Sequence, residues 1–142
     1  MTIPAQTGID TVLFAPTGIT DAATSTANFD CIGADHATVR INFAAEETTD
    51  AGTVLVSLLG SDDTIVTNFA TITADQSVAN TSATELRYEV DLIGQKRYLR
   101  LSVTAGAGTG SDLTFSSIGT LTRNDVSPAN TTEMGDDTVV IV

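Results

Sequence analysis

From residue 38 to 43 the chain reads T-V-R-I-N-F, which puts Val39, Ile41 and Phe43 on one side of an extended chain and Thr38, Arg40 and Asn42 on the other. The same two-residue period returns at 85–92, with Leu86, Tyr88, Val90 and Leu92 inward and Glu85, Arg87, Glu89 and Asp91 outward. It appears again at 97–103, where Leu99, Leu101 and Val103 alternate with Tyr98, Arg100 and Ser102. Further strands are predicted at 9–14, at 53–59 as a nearly continuous apolar run, at 65–72 as a looser alternation, at 113–121 and at 139–142. Between them lie turn-forming clusters at 46–52, 60–63, 74–82, 93–96 and 106–112.

Strands at this spacing, with no stretch of helical period, predict an all-β, single-domain antiparallel β-sandwich. Seven or eight strands suit a jelly-roll-like arrangement or another Greek-key topology. The periodic signal divides the chain into an N-terminal arm with a first short strand over residues 1–30, a sandwich core over 31–123 and a C-terminal arm over 124–142. The turn at 93–96 is expected to join its two flanking strands as a hairpin.

Composition narrows the functional classes. The 142 residues carry 18 acidic against 6 basic side chains, a formal net charge of -12. Such a chain repels phosphate backbones and anionic lipid, so neither nucleic acid nor membrane is an expected partner. No apolar run has the length of a membrane-spanning helix. The opening residues lack the basic and apolar regions of a signal peptide, so export through one is not expected. Disorder is opposed by a hydrophobic content of 42%. Thr-rich polar faces suit strands better than helices, because β-branched side chains fit a pleated sheet.

Candidate chemistry is sparse. One Cys and one His, Cys31 and His36, stand five residues apart, a spacing that along a strand puts them on opposite faces and does not favour a nucleophile and its base. Acidic pairs at Glu46-Glu47 with Asp50, at Asp62-Asp63 and at Asp136-Asp137 lie in turns but match no EF-hand spacing, so they read as solvated turns and no metal is expected. Gly106-Ala-Gly108-Thr-Gly110 lacks the Lys-Ser/Thr of a phosphate loop and precedes a strand, so no nucleotide cofactor is expected. Two Asn-x-Ser/Thr matches, at Asn80 and Asn130, carry no weight in so Thr-rich a chain. One charge feature rises above this background. Arg87, Lys96, Arg97 and Arg100, four of the six cations, fall within fourteen residues around the outward Tyr98, a candidate interface in which Arg pairs with a neighbour's carboxylates. Pairing of the same cations with Glu85, Glu89 and Asp91 within the chain is the competing reading.

The run from Tyr88 through Gly94-Gln-Lys-Arg-Tyr-Leu-Arg100 to Thr104, preceded by Val54-Leu-Val-Ser-Leu-Leu-Gly-Ser-Asp62, resembles the head decoration, or cement, proteins of tailed bacteriophages. The resemblance spans roughly residues 37–121. It implies a homotrimer on the outer capsid surface of the virion that bridges neighbouring subunits of the major capsid protein, made in the host bacterial cytoplasm, with no catalytic residue and no cofactor. The alternative from another class is a receptor- or glycan-binding β-sandwich of a phage tail or fibre. Such a module stacks sugars on exposed aromatic rings, of which a chain with no Trp and two Tyr offers few.

Overall fold

A computed structural model describes residues 9–20, 22–45, 52–79, 81–106 and 113–122, and the backbone of 138–141. Ten strands follow in order: β1 (Ile9–Ile19), β2 (Thr24–Asp30), β3 (His36–Phe43), β4 (Thr53–Ser61), β5 (Ala70–Thr71), β6 (Gln76–Ala79), β7 (Thr84–Asp91), β8 (Tyr98–Ala105), β9 (Leu113–Thr122) and β10 (Thr138–Ile141). One sheet has the order β1-β9-β3-β7-β10; the other runs β2-β8-β4-β5, with β6 pairing the same side of β4 nearer its start. Apart from β10, which joins β7 in parallel, every pairing is antiparallel. The orders β1-β9-β3-β7 and β2-β8-β4-β6 are those of the two facing sheets of a jelly roll. Along the chain, β1 to β4 fall in alternate sheets, and so do β6 to β9.

The alternating strands supply the core. Ala37, Val39, Ile41 and Phe43 on β3 and Leu86, Tyr88 and Val90 on β7 face Val54, Val56 and Leu58 on β4 and Leu99, Leu101 and Val103 on β8. Full burial of each Val, Leu, Ile or Phe side chain contributes roughly 1.5–3 kcal/mol, which makes this layer the principal source of stability. Tyr88 is completely buried, and its hydroxyl donates to the Val56 carbonyl at 3.1 Å, so one hydrogen bond crosses between the sheets. Phe115 packs edge-on against Phe14 with ring centroids 5.0 Å apart.

Three expectations change. The N-terminal stretch is no arm over residues 9–30: β1 pairs with β9 and β2 with β8, and both Ile19 and Phe29 are buried. Small side chains at the other inward positions of β2, Ser25 and Ala27, hide its period. Residues 65–72 form a short 3₁₀ turn over Val66–Asn68 and only two residues of strand. Asp63 diverts this segment by accepting from the Ile65 N–H at 2.9 Å and from Asn68 Nδ2 at 2.8 Å. The turn at 93–96 closes no hairpin, because β7 and β8 lie in opposite sheets. Both strands alternate identically, yet their apolar faces meet across the core instead of side by side. Gly94, at φ +80°, supplies the left-handed residue that this arch requires. At the C-terminus, 138–141 form β10, while 123–137 lie outside the described residues.

The connections β2–β3, β4–β5 and β7–β8 gather at one end of the sandwich, where β1 also begins and β9 ends. Backbone bonds from Cys31 N–H to the Arg97 carbonyl (2.8 Å) and from Leu92 N–H to the Asp35 carbonyl (2.8 Å) hold two of these connections together. At the opposite end β1, β3, β6 and β8 finish and β2, β4, β7 and β9 begin. No helix among the described residues is long and apolar enough to cross a membrane.

Candidate functional site

The candidate cations do not share one surface. Arg87 projects from the outer face of the β7 sheet, whereas Lys96, Arg97, Tyr98 and Arg100 belong to the other sheet and the arch leading into it. Arg87 donates through Nε to Glu89 Oε1, and Thr38 Oγ1 donates to Glu89 Oε2 at 2.9 Å. Across the sheet Arg40 pairs with Glu85 at 2.8 Å.

Around the arch, each of the three cations has a partner. Lys96 Nζ meets Asp62 Oδ2 at 2.5 Å. Arg97 forms a two-pronged bond with Asp30, Nε to Oδ1 at 3.0 Å and Nη2 to Oδ2 at 2.6 Å, and its guanidinium lies 4.8 Å from the centre of the Tyr98 ring. The Arg97 bond holds the Asp30 carboxyl below its ordinary range and raises the guanidinium in turn. Arg100 sits on the outer face of its sheet but is only 7% exposed. Phe69 covers it with its ring centre 3.8 Å from the guanidinium carbon, Asn28 Oδ1 accepts from its Nε at 2.6 Å, and the Val66 carbonyl lies 3.4 Å from Nη1. Its neighbours thus lock Arg100 in place, and Lys96, Arg97 and Tyr98 remain at the surface near one another. The alternation at 97–103 signalled that Arg100 points outward; only the fold of residues 62–69 over that face shows that it is covered.

The other candidates resolve as structural elements. Cys31 is buried, which pushes its thiol up to about 12, and its sulfur lies 3.9 Å from the Phe29 carbonyl. His36 is buried, and neither ring nitrogen has a hydrogen-bond partner, so the imidazole does not engage the thiol. Asp62 and Asp63 diverge: Asp62 serves Lys96, and Asp63 caps the turn that follows it, where the Asn68 amide, foremost, holds its carboxyl low. Among the described residues no three His, Cys, Asp or Glu side chains converge as metal ligands. Glu46, Glu47 and Asp50, Asp136 and Asp137, Asn80 and Asn130, and the glycine-rich stretch beyond Gly106 lie outside the described residues.

No protein-family model and no curated protein sequence matches this chain.

Proposed function

We propose that this protein is a structural component of a phage virion, a homotrimer that decorates the outer capsid surface and stabilises the shell by bridging neighbouring major capsid subunits. The observation that supports this reading most is how the two segments carrying the resemblance sit together. The 54–62 and 88–104 segments contribute β4 and β8, paired without a break from Val54–Ala105 to Ser61–Tyr98, and the Asp62–Lys96 ion pair closes their end. A protein that binds the assembled lattice and not free subunits stabilises the lattice by mass action. A jelly roll is a fold that viral capsid and lectin domains share, so the fold by itself favours neither reading. The glycan-binding alternative loses one of its two tyrosines to the core, since Tyr88 is fully buried.

The test is to heat purified particles, or treat them with chelator, with and without the protein. Shells that lack it should rupture under milder conditions. Equal rupture with and without it would refute the proposal. Mass measurement of the free or bound protein should give a multiple of three.

A further inference from the structure

Three loops at the arch end share one device. Ile32 N–H donates to Asp30 Oδ1 at 3.1 Å, Ile65 N–H to Asp63 Oδ1 at 2.9 Å, and Ile93 N–H to Asp91 Oδ1 at 2.9 Å. Each is a turn in which an aspartate caps the backbone two residues on, and each lifts an isoleucine into solvent. These isoleucines are 69%, 57% and 77% exposed. Asp-x-Ile occurs three times in the chain, and all three copies lie at this end. Val66, 69% exposed, stands beside Ile65. In sequence, the stretches that link the strands at their other ends, residues 20–23, 44–52, 80–83 and 106–112, contain no Val, Leu, Ile, Met or aromatic residue.

Single exposed apolar residues are ordinary on a protein surface. Three on the same capped turn, confined to one end, are not scattered. Each turn is fixed by its own aspartate, and two of these aspartates are in sequence with further anchors: Asp30 is gripped by Arg97, and Asp63 by Asn68. The tips are therefore ordered before any partner arrives, which lowers the entropic cost of docking. The same loops hold five carboxylates, Asp30, Asp35, Asp62, Asp63 and Asp91, against two cations, Lys96 and Arg97. Two such ends facing each other would repel. A surface with apolar recesses bordered by Lys and Arg would be complementary in both shape and sign.

We infer that the end carrying Ile32, Ile65 and Ile93 is the docking surface, and that it seats on a protein surface with apolar recesses edged by basic side chains. Under the decoration reading, on which this inference rests, that surface belongs to the capsid shell and the opposite end of the sandwich faces outward.

The probe is an empty phage shell assembled from a major capsid protein, the partner that the decoration reading requires. The triple variant Ile32→Ser, Ile65→Ser, Ile93→Ser should lower shell affinity at least tenfold while its melting curve and oligomeric mass stay as in the wild type. Val12→Ser with Ile118→Ser, on the outer face of the β1/β9 sheet, should leave affinity unchanged. Wild-type affinity should fall as salt rises, and less steeply in Asp91→Asn, which keeps the turn's acceptor but loses the charge. Hydrogen exchange in the bound state should slow at 31–35, 62–69 and 91–97. Failure of the wild type to bind shells would overturn the decoration reading. Binding by the triple variant within twofold of wild type, or loss of binding in the Val12/Ile118 variant instead, would overturn the inference and leave that reading standing. Dissociation of the oligomer in the triple variant would also overturn it, because the tips would then join copies of the chain.

Discussion

Arg40 stands directly across the sheet from Arg87, two like charges in register on adjacent strands. Glu89 and Glu85 flank the pair on β7, and each takes one of the guanidinium groups, so the repulsion expected of opposed like charges is offset along the strand. The two carboxylates differ in setting: Glu89 is 2% exposed, while Glu85 is partly open to water. Truncating Glu89 removes the acceptor of both Thr38 and Arg87 in a buried place, and Glu89→Ala should cost about 3 kcal/mol. Glu85→Ala should cost under about 1 kcal/mol. Urea unfolding of the two variants compares them directly.

Tyr88→Phe keeps the ring and loses the hydroxyl that reaches across the core to Val56. A cost of about 1 kcal/mol is expected, because a buried hydrogen bond is removed without opening a large cavity. Thermal melts should show a single, lower transition. No change in stability would mean that the inter-sheet bond contributes nothing.

Phe69 and Arg100 should be coupled. In a double-mutant cycle of Phe69→Ala and Arg100→Met, an interaction energy of about 0.5–2 kcal/mol is expected from the covered cation–ring contact. Additive losses would show that Phe69 covers Arg100 without holding it.

Acid should reach Asp30 late. Its folded-state carboxyl titrates below the unfolded value, so its contribution to stability is present above the unfolded value and is lost as pH falls through the lower, folded one. NMR titration of the Asp30 side chain should therefore give a midpoint below that of an ordinary aspartate. In Arg97→Gln, which removes the main cause, the midpoint should move up toward the ordinary value.

Cys31 shows the opposite sign. Burial raises its thiol from 9.0 to about 12, so its contribution is full below the unfolded value and is lost as pH rises through the folded one. At pH 8 a thiol reagent should label the denatured chain and spare the native one. Rapid labelling of the native protein would show that the site opens.

Strands with a large apolar residue at most inward positions were legible in the sequence: β3, β7 and β8 follow the two-residue period over most of their lengths. β6 carries too little apolar signal to stand out from turn because only Val78 is buried in it, and β2 carries little more because Ser25 and Ala27 bury little. Residues 65–72 misled in the other direction, since Ile65 and Val66 look like strand residues but are displayed to solvent. The arch at 93–96 could not be told from a hairpin because the period specifies which side of a strand is wet, not which strand lies beside it. For the cations, sequence proximity put Arg87 next to Lys96, but the change of sheet separates them. The partners that fix the rest, Asp30, Asp62 and Phe69, lie about thirty or more residues away along the chain and carry no local signal.

Alternation of the chain between the two layers also sets when it can fold. β1 finds its neighbour in β9, and β2 finds its neighbour in β8, so two early strands of the sandwich must wait for partners some seventy or more residues further on. Pairings this distant require large loops to close before any contact rewards them, which places folding in the slow, millisecond-to-second regime. A nascent chain cut short before residue 113 would leave β1 with an unpaired edge and no sheet to join. Synthesis must therefore run past β9 before a copy becomes competent to assemble with anything else.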